Sequence, residues 1–205
     1  FWAAQAGYRY SQYQLDYADS VFAGTVADID PSREVAYLSV DAGLFFDRQF
    51  SFAGLTGTQT LEPRIYYLRQ GYEDQDALPI FDSTSIALDY VQLFRSNRFV
   101  GLDRIGDADQ ITLGVTSRFL SALDGRELFS VSLGQIEQFS DPRVLIANNQ
   151  LANSLPESSA LAGEISAHLS PHWQVIANEV WDYEQSQWQE LGATVRYRGD
   201  NKHLF

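Results

Sequence analysis

Apolar and polar side chains alternate one for one along much of this chain, and no other feature restricts its fold so strongly. In PSREVAYLSVDAGLFFDRQF, Ala36, Leu38, Val40, Ala42, Leu44 and Phe46 share one parity; Tyr37, Ser39, Asp41 and Gly43 share the other. In GTQTLEPRIYYLRQ, Leu61, Pro63, Ile65 and Tyr67 alternate with Glu62, Arg64 and Tyr66. The same pattern sets Ile111, Leu113, Val115 and Phe119 against Gln110, Thr112, Thr116 and Arg118. Leu161, Ile165, Ala167 and Leu169 oppose Glu164, Ser166 and His168; Leu191, Ala193, Val195 and Tyr197 oppose Thr194, Arg196 and Arg198. A period of two belongs to strands with one apolar and one polar face, and helical periods are hard to find here. The pattern predicts strands at about 2–15, 33–48, 56–70, 108–121, 126–140, 159–169, 172–184 and 186–198. Several exceed the ~5–6 residues usual in globular domains and suit the ~9–11 of a tilted membrane-spanning strand.

The connections alternate too. They run long (16–32), short (49–55), long (71–107), short (122–125), long (141–158) and short (170–171); only the one near 184–186 breaks the rhythm. The short ones have turn chemistry, Asp124-Gly125 and Ser170-Pro171. Short turns on one rim and long loops on the other are the habit of an outer-membrane barrel, and a soluble sandwich has no reason to sort them. Polarity alone permits both architectures, because the apolar face is a core in water and a lipid-facing surface in a membrane.

Composition removes several classes. A formal net charge of -13 and a pI near 4.4 argue against a nucleic-acid partner, which needs clustered Lys and Arg. The absence of Cys excludes a disulfide framework or a thiolate metal site within these residues. The opening FWAAQAGYRY has neither Met nor a leader-like pattern, so it reads as an excised or processed segment. His168 and His172 flank Pro171 in a turn and His203 is remote, which argues against a metal site. No nucleophile-elbow, phosphate-loop or dinucleotide motif occurs, and nothing singles out a carboxylate pair, so no catalytic residue, metal or cofactor is expected.

The densest charged segment is LFRSNRFVGLDRIGDADQ. Arg95, Asn97, Arg98, Asp103, Arg104 and Asp107 either hold a loop together among themselves or present a docking surface to a partner. Asp103, Asp107 and Asp109 lack the order of a calcium loop. Aromatic residues near strand ends are candidate interfacial girdles: Trp2, Tyr8, Tyr10, Phe45, Phe46, Tyr66, Tyr67, Phe119, Phe139, Trp173, Trp181, Tyr183 and Trp188. In RELFSVSLGQIEQF the apolar series Phe129, Val131, Leu133 gives way early to Gln135 and Glu137, which suggests a bulge or packing against an inward-folded loop.

TQTLEPRIYYL, DQDALPIFDS, LFRSNRFVGLDRIGDADQITLGVTSRF, DGRELFSVSLGQI and FSDPRV, in this order and spacing, resemble the C-terminal barrel of the LPS-assembly protein family LptD. The match is strongest over 56–144; the flanks fit by strand rhythm. The resemblance implies an all-β fold: about eight antiparallel strands forming part of a large transmembrane barrel, one partial domain over 1–205, not closed within the segment. It implies an outer membrane of a Gram-negative bacterium, lipopolysaccharide as cargo, and an LptE-like lipoprotein plug inside the barrel. A periplasmic LPS-transport bridge would feed it through an N-terminal domain that these residues lack. The barrel's first and last strands and the family's cysteines are also missing here. Such a protein moves lipid and makes no bond. Glu62, Arg64, Arg118, Glu164, Arg196 and Arg198 would then face the lumen, binding the plug or passing anionic sugars, or pairing across strands. A general porin and a soluble all-β binding module are the competing readings.

Overall fold

The computed structural model describes residues 1–14, 30–52, 54–146, 160–182 and 186–199. The strands are β1 (Trp2–Gln12), β2 (Ser32–Gly43), β3 (Phe46–Phe52), β4 (Leu55–Gln70), β5 (Thr84–Ser85), β6 (Phe99–Val100), β7 (Ala108–Ser121), β8 (Glu127–Gln138), β9 (Leu161–His168), β10 (Trp173–Asp182) and β11 (Gln187–Tyr197). One sheet runs β1-β2-β4-β7-β8-β9-β10-β11, with β3 beside β4; β5 and β6 pair separately. Every pairing is antiparallel. β1 and β11 are open edges of this sheet. The expected loops 16–32 and 141–158 lie largely outside the described residues, as do Tyr183 and His203.

The strand expected at 33–48 is divided. β2 ends with Gly43 opposite Arg64, and β3 resumes in the same register with Phe46 opposite Leu61. Across the gap Leu44 N donates to Pro63 O at 3.0 Å, but proline has no N–H to return, so the ladder is interrupted there. β3 then continues to Phe52, which pairs with Leu55. The expected connection 49–55 is thereby reduced to a tight turn, with Gly54 at φ 79°.

Burial is inside-out for a protein in water. The polar parity is covered: Thr112 is 0% exposed, and Ser39, Thr116, Ser130, Ser132 and Ser166 are buried. The apolar parity is bare, with Leu38 44% and Leu113 54% exposed and Val40, Leu61, Ile65, Leu133 and Ile165 likewise open. Tyr66, expected in a girdle, has the inward parity of β4, is buried, and meets Phe94 edge-on at 6.5 Å.

The inner face is covered by the insert between β4 and β7. A 3₁₀ turn, Gln92–Phe94, brings Leu93 onto Ala160, Ala162 and Val180, with Leu88, Tyr90, Phe94 and Ile136 packed around them. Its seat is a window in the sheet. Gly114 and Gly134 are register partners, and a Cβ would stand 2.6 Å from the Phe94 ring at the first and 2.8 Å from Leu93 Cδ1 at the second. Only glycine lets the insert lie this close to the backbone. Beneath it the β7–β8 register holds through Gln135 and Glu137; the one shift falls between Phe119 and Leu120. A bulge therefore does not explain the short apolar series of β8.

Candidate lumenal face and the latched insert

The charged run acts first on its own backbone. Asp107, at the end of the insert, accepts Arg143 N at 2.8 Å and Val144 N at 2.9 Å, together with Arg98 Nη2 at 3.1 Å. Arg98 also donates to Val144 O at 2.6 Å and to Asp107 O. Asp103 Oδ2 accepts Phe81 N and Asp82 N at 2.7 and 2.8 Å, and Oδ1 accepts the Tyr13 hydroxyl at 3.4 Å. Arg104 donates to Leu78 O and Asp103 O; Asn97 binds Arg104 O through Nδ2 and Gly106 N through Oδ1. Arg95 is exposed, bonded to Gln92 at 3.0 Å. Burial raises both aspartates, but the backbone N–H donors outweigh it, and each carboxyl ends below its ordinary range. Burial pulls Arg98 and Arg104 downward.

Two anchors carried no signal in the sequence. Arg33, at the inward parity of β2 and 1% exposed, donates to Leu102 O at 2.7 Å, to Asp103 O and Gln75 Oε1 at 2.8 Å, and to Ser11 Oγ at 3.1 Å. Gln75 returns a donor to Ile105 O and accepts Ile105 N. An arginine at a strand end looks like any exposed terminus until the insert arrives over it. Among the described residues no group of three His, Cys, Asp or Glu converges as metal ligands would.

Lower on the inner face, Arg64 grips Asp41 with two bonds at 2.9 and 2.6 Å and lies over the Phe94 ring, 4.1 Å from its centroid. Arg118 bridges Glu62 at 3.2 Å and Glu127 at 2.8 Å. The structure thus brings Glu62 and Arg118 together and adds two partners, Asp41 and Glu127, that sequence reasoning did not single out. Glu164, half-buried, stands opposite Ser132 and Asn178. Arg196, opposite Gln174, and Arg198, whose backbone bonds His172, are exposed on the edge strand and beyond it. They are not part of the Glu62–Arg118–Glu127 group. Ser39, Asp41, Tyr66, Phe94 and Ser96, with Ala3 and Gln5 of β1, border a polar recess of about 230 Å³ between wall and insert.

A family model described as "LptD: LPS transport system D" matches residues 1–205. The chain belongs to the LptD family. It is 41% identical to the LPS-assembly protein LptD of Xanthomonas oryzae pv. oryzae (strain MAFF 311018), over 98% of this chain and 26% of that protein. It is 38% identical to the LptD of Nitrosococcus oceani, over 100% of this chain and 27% of that protein. The Hahella chejuensis LptD is 37% identical over 92% and 24%. The chain therefore spans about a quarter of the length of the LptD relatives it matches.

Proposed function

We propose that this chain is part of the wall of a large outer-membrane barrel in a Gram-negative bacterium, and that the whole protein assembles lipopolysaccharide in the outer leaflet. The observation that carries this is the inside-out sheet: bare Leu38, Val40, Ile65, Leu113 and Leu133 on one face, and buried Thr112, Thr116 and Ser132 on the other. A bilayer opposes a charged glycolipid with a hydrocarbon layer ~30 Å thick, and a polar wall lowers the cost of passing sugars and phosphates. No step makes or breaks a bond, so the protein is a translocon and no enzyme.

In this reading an LptE-like lipoprotein occupies the lumen and a periplasmic bridge delivers the lipid. Glu62, Arg64, Arg118, Glu164, Arg196 and Arg198 face that lumen. Arg95, Asn97, Arg98, Asp103, Arg104 and Asp107 shape the insert that meets the plug; Asp103 and Asp107 contribute by fixing its form, Arg95 by exposure. A general porin is disfavoured by the family match over residues 1–205. Depleting the full-length protein should strand new lipopolysaccharide in the inner membrane. Large ion conductance of the intact protein without that phenotype would reverse the assignment to a porin. Photo-cross-linking from position 95 should reach the lipoprotein; labelling confined to the cell exterior would remove the docking role.

A further inference from the structure

The outward face of β2 and β3 reads Glu34, then Ala36, Leu38, Val40, Ala42, Leu44 and Phe46, then Arg48, and last Phe50 and Phe52 before the turn. From Ala36 to Phe46 the strand advances about 33 Å at ~3.3 Å per residue, or about 23 Å across a bilayer at ~45° tilt, close to the ~25 Å apolar band of such barrels. Arg48 therefore falls one residue pair beyond a band of that height, and Phe50 and Phe52 continue the same face as an aromatic rim toward the short turn. Tyr8 and Tyr10, opposite Ala36 and Glu34, mark the other boundary.

Arg48 is exposed and oriented. Its Nε donates to Gln59 Oε1 at 2.9 Å; Gln59 Nε2 donates to Ser117 Oγ at 2.9 Å; Ser117 Oγ donates to Thr60 O at 2.9 Å. This relay fixes one edge of the guanidinium and leaves both terminal nitrogens without a partner among the described residues. Arg69, the other arginine of the outward parity, faces Asp109 at 3.8 Å. On the same face Arg48 is flanked by Phe46, which is bare, and Phe50, which packs edge-on against Phe119 at 5.5 Å, with Phe52 further toward the turn. A planar cation with two free amino groups, flanked by aromatics at the edge of an apolar band, matches a phosphodiester whose acyl chains lie along that band.

We infer that Arg48, oriented by Gln59 and Ser117, binds the head-group phosphate of a glycerophospholipid in the leaflet at the short-turn rim. This rests on the membrane-barrel reading above. The test is native mass spectrometry of the full-length protein, purified in detergent, with added dioleoylphosphatidylglycerol or dioleoylglycerol. Arg48→Gln should weaken phosphatidylglycerol retention about five-fold, the factor set by ~1 kcal/mol per basic residue at a lipid surface. Arg48→Lys, which keeps the charge and loses the oriented fork, should restore part of it, and Arg126→Gln, in a turn at the same rim, should change nothing. Dioleoylglycerol retention should be equal throughout, and millimolar inorganic phosphate should not compete. Unchanged retention by Arg48→Gln, a parallel loss of dioleoylglycerol, or displacement by inorganic phosphate overturns the inference and leaves the barrel standing. A wild-type protein that stays in water without detergent and retains no lipid overturns both.

Discussion

Replacing Asp107 with Ala removes one acceptor from three donors at once: Arg143 N, Val144 N and the Arg98 guanidinium. Val144 is buried and Arg98 is mostly covered, so water reaches these donors poorly. A buried donor left unsatisfied costs about 1–3 kcal/mol, and removing one partner of a buried ion pair about 3–5 kcal/mol. These terms share atoms and do not add, which places the loss at about 3–5 kcal/mol. It should fall on the insert and not on the wall, because Asp107 makes no side-chain contact that holds β7 to its neighbours. Hydrogen exchange on the full-length protein reads this directly. Amides 98–107 and 143–144 should lose about two to four orders of magnitude of protection, while the β7–β8 ladder keeps its own. Asp107→Asn, which retains an acceptor, should fall between. If protection at 143–144 changes less than ten-fold, or if the loss spreads into β7 and β8, the Asp107 latch is not what holds the insert.

The same aspartates give a pH dependence. Their folded pKa values are depressed, so their stabilisation is complete above the unfolded carboxylate pKa of ~4 and is lost as pH falls through the folded values. Protease accessibility of the insert should be flat from mild acid to alkaline pH and rise only in strong acid; a rise near neutrality would contradict this. Gly134→Val places a Cβ 2.8 Å from Leu93 Cδ1 and 3.1 Å from Leu113 O, so it should unseat the insert at about 1–3 kcal/mol, seen as faster proteolytic cleavage within residues 71–107 while the strands stay protected. Val40→Arg, near the middle of the outward band, should cost about 2–4 kcal/mol when the full-length protein refolds into bilayers. A negligible cost there would argue against lipid on that face.

How much of this was readable beforehand follows from the range of the forces involved. Strand parity was legible at β4 and β7 because alternation is local, and Leu61, Ile65 and Leu113 do sit opposite in parity to Glu62, Arg64 and Thr112. The break at Leu44 was invisible along β2 itself; its cause, Pro63, lies on the partner strand. The run 95–107 left two roles open, since charges beside glycine suit a surface as well as a latch. Arg33 and Gln75 depend on a loop folding back from far along the chain, and no short window contains that. Asp41 and Glu127 could have been suspected only by pairing strands in register.

The seating of Leu93 also sets an order of events. Its seat is built from Gly134 of β8, Ala160 and Ala162, and Val180 of β10, all made after the insert. The bond from Tyr13 to Asp103 of the insert is no more local, its partners being 90 residues apart in sequence. Contacts so distant form late, because the chain must first close large loops. The insert is thus synthesised before its seat, and its docking waits on strands downstream of it. Until then Leu93, Phe94 and Tyr90 are loose apolar groups beside an unfinished wall. For a chain of this design, the costly error in folding is an insert trapped on the wrong side of strands that close too soon.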